Sequence, residues 1–235
     1  MQAKKLPDLD DDRIKSLNQI LIQEELTDEE NNLLSIQEVY DIRCFVLKYE
    51  SAWFCYKQAI EDERKTEKSC SELFEMAKLY ISHFIQVLNM AVIRNEIKAE
   101  SLSYYGMEEQ NEIHVPDLSV ESELLEWGER LIKGENDRCL HGGSPIYNPS
   151  ISKVKVHFDL LKETLYSLKI CRQTTLRLQS NMKEIREKAN RFLWDTWTKI
   201  EFAYWELPEN ERMKKLKDYG VHFFYQAGAQ LNVFG

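Results

Sequence analysis

The chain has 235 residues, 43% of them hydrophobic, with a formal net charge of −9 at pH 7. That length allows one large or two small domains, and the acidity disfavours broad electrostatic binding to nucleic acid or to an anionic membrane. Eight Gly and five Pro are few, which favours long helices over a turn-rich β fold.

Residues 1–35 read as an acidic N-terminal arm, frayed over 1–12, with a short helix over 13–26 that places Ile14, Leu17 and Leu21 on one face. Asp8-x-Asp10-x-Asp12 begins like a calcium loop, but Arg13 stands where Gly is needed and Gln19 where Glu is needed, so it reads as a solvated acidic patch. Thr27-x-x-Glu30 and Ser35-x-x-Glu38 are capping-box patterns. Residues 36–107 read as a first helical hairpin. Val39, Ile42, Val46, Tyr49, Trp53, Tyr56 and Ile60 alternate steps of 3 and 4, the signature of a helix packed along one seam. A third capping-box pattern, Ser69-x-x-Glu72, places a tight reversal before a second helix over 71–97, which carries two apolar stripes. A short turn then closes at Gly106.

Residues 108–150 form an insertion. Ile113-His114-Val115-Pro116 is extended, 121–133 is a short amphipathic helix stopped by Gly134, and 135–150 is a Gly/Pro loop. Asn148-Pro149 suits an N-cap and first helical position. Residues 151–221 read as a second hairpin, with helices over 149–180 and 182–207. Pro208 opens a short helix over 209–219 closed by Gly220, and 222–235 is an apolar-tinged tail.

The second hairpin repeats the first. Displaced by 112 residues, Val39 meets Ile151, Val46 meets Phe158, Tyr80 meets Phe192 and Leu88 meets Ile200; after a two-residue insertion Tyr105-Gly106-Met107 meets Tyr219-Gly220-Val221. Two hairpins of equal design, each too thin to bury its own stripes, predict an all-α antiparallel four-helix bundle. The stretches 77–89, Tyr105-Gly106, Glu126-Trp127-Gly128, Pro145 to Ser150 and Lys217 to Val221 resemble a family of uncharacterised all-helical proteins from Bacteroides-type bacteria. The resemblance covers about residues 36–225. It implies a bacterial helical bundle, and because that family has no established activity it carries no functional residue across.

No Glu is followed three places later by His, so the di-iron signature of helical bundles is missing, and no cofactor or metal is expected. The five histidines, 83, 114, 141, 157 and 222, are scattered. The 138–148 loop offers the best ligand-contact candidates, His141, Tyr147 and Asn148, on the ground that recognition residues favour loops. Cys139 and His141 are the one thiol–imidazole pair close in sequence. Trp194 and Trp205 lie eleven residues apart, on one helical face, where the first hairpin has Ser82 and Ile93; they are the candidate partner surface. The five cysteines form no C-x-x-C pair and residues 1–7 lack a signal-peptide core. No apolar run approaches the length of a bilayer span. The expectation is a cytoplasmic, non-enzymatic protein that works through a protein partner or homo-oligomer, with no nucleic acid and no membrane. The alternative is a small-ligand binder or enzyme with its site where the insertion meets one end of the bundle.

Overall fold

The computed structural model describes residues 2–27, 32–107 and 115–225. Its elements are β1 (Gln2–Lys4), α1 (Asp10–Leu26), α2 (Ile36–Ile93), a 3-10 helix (Ala99–Tyr105), α3 (Glu121–Leu140), α4 (Ile151–Ala203), α5 (Glu209–Asp218) and β2 (Phe223–Tyr225). The fold is all-α apart from β1 and β2, which pair antiparallel with Lys4 opposite Phe223. Glu30 and His114 lie outside the described residues, as do 226–235 of the predicted tail.

Neither predicted reversal occurs. The first hairpin's two helices are one, α2, of 58 residues, and the second pair is α4, of 53. A capping box stops nothing unless the residue before it can leave the helix, and 61–68 holds no Gly or Pro and is mostly Glu, Lys and Arg, strong helix formers. Lys65 pairs with Glu61 one turn away at 3.6 Å, and the Thr66 hydroxyl donates to the Asp62 carbonyl at 2.8 Å. Residues 178–183 likewise hold no Gly or Pro. The box that does work is Ser35-x-x-Glu38, where α2 begins. The Glu38 carboxylate accepts from the Ser35 N–H and hydroxyl at 2.7 Å each, and the Glu38 N–H donates back to the Ser35 hydroxyl at 3.3 Å.

Three other expectations change. Residues 2–12 are structured, since 2–4 form β1 and Asp10 is buried. Gly134 does not stop α3, which runs on to Leu140. It is glycine for packing: a Cβ there would sit 2.5 Å from the Tyr105 ring and 2.8 Å from the Tyr104 carbonyl. Asn148 and Pro149 precede α4 rather than open it. Gly106 (φ 65) and Gly220 (φ 74), by contrast, take the left-handed conformation expected of helix-closing residues.

The chain divides into two compact units, Met1–Ile60 with Thr175–Gly235, and Glu61–Thr174. In the first, α1, the N-terminal part of α2, the C-terminal part of α4, and α5 enclose Leu17, Ile20, Val46, Tyr49, Leu193, Trp197 and Leu216. The two long helices run antiparallel there: Glu38 pairs with Lys199 at 2.7 Å, and Phe45 meets Phe192 with ring centroids 4.9 Å apart. In the second unit, α3, the N-terminal part of α4, the C-terminal part of α2 and the 3-10 helix enclose Ile81, Phe84, Leu88, Leu102, Leu131 and Phe158. The long helices are antiparallel here too, with Tyr80 stacked on His157 at 4.1 Å and Glu67 paired with Arg172 at 2.7 Å. Of the predicted α2 seam residues, Ile42, Val46 and Tyr49 are buried, Val39, Trp53 and Tyr56 are half-buried and Ile60 is exposed; Val154, Phe158 and Leu161 of α4 are buried as well.

Contrary to the sequence expectation, α2 holds an 18-residue stretch of mean hydropathy 1.3, long and apolar enough by composition to cross a membrane; 39% of it is buried inside the protein. The stripes that raise its hydropathy include Ala77, Ile81, Phe84 and Leu88, which form the core of the second unit.

Candidate functional site

Each unit is pinned by a buried carboxylate, because a buried charge must find donors or its cost is prohibitive. In the first unit Glu24 of α1 accepts the Tyr219 hydroxyl at 3.0 Å and the Leu34 N–H at 3.0 Å. Burial and the neighbouring Glu24 push the Tyr219 phenol pKa up. In the second unit Glu135 of α3 accepts the Tyr105 hydroxyl, the Ile146 N–H at 2.8 Å, and two bonds from Arg138 at 2.9 Å each. Burial and Glu135 push the Tyr105 phenol up. Arg138 also donates to the Ser144 carbonyl at 2.7 Å, which fixes the loop before α4.

A further buried carboxylate sits in the first unit. Asp10, expected in a solvated patch, accepts from Tyr49 at 2.7 Å and from Arg186 at 2.8 and 2.7 Å. Burial alone raises its pKa, but the Arg186 and Tyr49 hydrogen bonds outweigh it and the carboxyl titrates below its usual range. In all three clusters the carboxylate is satisfied by groups of the same unit, so each serves to tie helices together.

The sequence-predicted ligand residues His141, Tyr147 and Asn148 all lie at the surface. Tyr147 and Asn148 are exposed, Tyr147 at 81%. His141 is exposed, with its Nδ1 2.7 Å from the Asp137 carbonyl and its ring 5.3 Å from Tyr104. Among the described residues, one groove of about 280 Å³ lies beside Glu24, Thr27 and Leu34, and another of about 380 Å³ beside Ile132, Lys155 and Phe158. Neither is lined by His141, Tyr147 or Asn148. The Cys139 thiol donates to Glu135 at 3.8 Å rather than to His141, and burial, then the Glu135 charge, push its pKa up. That holds it as a thiol, the unreactive form. Among the described residues, no group of three or more His, Cys, Asp or Glu side chains could hold a metal ion.

Trp194 and Trp205 are 46% and 64% exposed. Each ring carries a cation: Lys4 Nζ lies 5.0 Å from the Trp194 centroid and the Arg212 guanidinium 4.9 Å from that of Trp205. Such contacts at exposed sites are worth ~0.5–1 kcal/mol.

A more extended surface lies on α2 within the first unit. Tyr40, Cys44, Leu47, Ser51, Phe54 and Gln58 are all exposed and step by 4, 3, 4, 3 and 4 residues. This is a second heptad seam, on the side of the helix away from the buried one, and it contains no charge. The positions 112 residues on, in α4, are also exposed or partly exposed but read Ser152, Val156, Asp159, Glu163, Tyr166 and Ile170, with two carboxylates in the middle. That is how an ordinary solvated face looks. An apolar count misses the α2 seam because Cys44, Ser51 and Gln58 dilute it. Its signal is the absence of charge at heptad spacing in a chain that is 30% charged.

Compared with known proteins, the chain matches no family model, no curated protein and no solved structure.

Proposed function

We propose that this chain is a duplicated helical protein whose role is protein–protein contact rather than catalysis, and that the exposed α2 seam is the contact surface. The uncharged heptad run from Tyr40 to Gln58 carries this reading. Tyr40, Leu47 and Phe54 are 60%, 63% and 66% exposed in one row, and contiguous exposed apolar surface marks interaction sites. Trp194, on α4, and Trp205, in the turn after it, are a separate pair of exposed aromatic side chains in the same unit. Duplication is supported by the shared anchoring design. Leu34 and Ile146, whose N–H groups bond the two buried glutamates, stand 112 residues apart, the offset at which the apolar patterns coincide. Tyr219-Gly220 and Tyr105-Gly106 close the corresponding ends.

The test compares the wild type with a Leu47→Lys/Phe54→Lys variant, by mass in solution and by affinity capture from a host lysate. The reading predicts that an associated species, either a second copy or a captured protein, is present in the wild type and lost in the variant. A wild type with no associate, or one whose associates all survive the substitutions, contradicts it.

A further inference from the structure

The order of side chains along the α2 seam says more about what covers it. Large residues, Tyr40, Leu47 and Phe54, alternate with Cys44, Ser51 and Gln58. Two such helices set parallel would bring like against like, Leu47 on Leu47 and Ser51 on Ser51, in alternately bulky and slight layers that fill the space less evenly than large facing small. Set antiparallel, each bulky residue faces a slighter one: Leu47 meets Ser51 of the second copy, Phe54 meets Cys44, and Tyr40 meets Gln58. The arrangement is its own complement under a two-fold axis, so it closes at two copies.

We propose that the seam is covered by the same seam of a second copy, antiparallel, forming a weak homodimer; this rests on the contact reading above and supplies its partner. The available area fits a weak contact. A fully buried aromatic side chain covers ~150–250 Å², so Tyr40 and Phe54, at 60% and 66% exposed, have roughly 100–150 Å² each left to bury. With Leu47 and the smaller seam residues, two copies bury at most about 1,000 Å² in total, the size of a weak or transient interface. The flanks weaken it further. Lys48, one residue past Leu47, meets Lys48 of the second copy at the axis, and each chain carries a net charge of −9. Salt screens both repulsions, so association tightens as ionic strength rises, the reverse of a contact held by ion pairs.

The cysteines give a test of geometry. Cys44 and Cys55 are both exposed and eleven residues apart on one helix, about 16 Å at 1.5 Å per residue, too far for an intramolecular disulfide. The antiparallel dimer brings Cys44 of one copy beside Cys55 of the other, because Cys44 faces Phe54 there. The full-length protein is oxidised with diamide, which takes two electrons and two protons from each thiol pair, at low and high protein concentration, and the cross-linked peptides are mapped by mass spectrometry. The expected product is a Cys44–Cys55 interchain disulfide whose yield rises with protein concentration and with salt and disappears in Leu47→Lys/Phe54→Lys. The circular dichroism of that variant is unchanged, since both side chains are exposed. Cys44–Cys44 linkage overturns the antiparallel arrangement, and a chain that stays monomeric by sedimentation at every concentration overturns the dimer. If the wild type is monomeric yet captures a lysate protein that the variant loses, the second copy is the wrong partner and the contact reading still stands.

Discussion

The two units solve one problem with different charge. Both bury a glutamate between a short helix and a closing tyrosine, and both use it to hold the N–H of an apolar residue just ahead of a long helix. Glu135 has Arg138 beside it, whereas Glu24 has no cation among its contacts with the described residues. The arginine in the second unit has a further role, since it reaches the Ser144 carbonyl and holds the 141–150 loop. The units differ outside as well, because the charge-free seam occurs on α2 and not at the positions 112 residues on in α4.

The largest effect is expected at Glu135. Glu135→Ala leaves Arg138, whose side chain is 5% exposed, as an unpaired buried charge, and costs about 3–5 kcal/mol in urea unfolding. Arg138→Met sharpens the contrast. It leaves Glu135 with a tyrosine, a backbone N–H and the Cys139 thiol, close to the arrangement of Glu24, and so costs less than Glu135→Ala. Equal losses from the two substitutions would show that the units are not alike. Glu24→Leu orphans the Leu34 N–H and the Tyr219 hydroxyl with no stranded charge, for about 1–3 kcal/mol. Ser35→Ala removes the hydroxyl of the α2 capping box and costs about 1 kcal/mol by the same assay.

The smallest effect is a pH dependence at the same cap. Hydrogen bonds from Lys199, then from Ser35, hold Glu38 down from 4.5 to about 2. A depressed folded pKa means that this stabilisation is complete above about 4.5 and is lost as pH falls toward 2. Glu38→Gln should thus be slightly less stable than wild type at neutral pH, and the gap should close between those two values in acid titrations of unfolding. A gap that persists at pH 2 would show that Lys199 and Ser35 do not hold the charged form.

The buried seam is legible in the sequence because Ile42, Val46 and Tyr49 repeat at a period only a packed helix needs. Helix continuity is not. Ser69 to Glu72 is a local signal, and the charged residues before it carry the helix through. Gly134 is ambiguous for a similar reason: glycine marks a stop or a close approach, and only the Tyr105 ring packed against it says which. The tyrosine–glutamate anchors are out of reach, since Glu24 and Tyr219 are 195 positions apart and no periodicity links them. The exposed seam is in plain view, but only the structure shows which side of α2 is already covered.

The most direct measurement is the mass in solution, across a range of protein concentrations, of three chains side by side: wild type, Leu47→Lys/Phe54→Lys, and the matched α4 pair Asp159→Lys/Tyr166→Lys. Wild type and the α4 pair should move from monomer toward dimer as concentration rises, while the α2 pair stays monomeric. Identical curves for all three would contradict the assignment of the contact to α2.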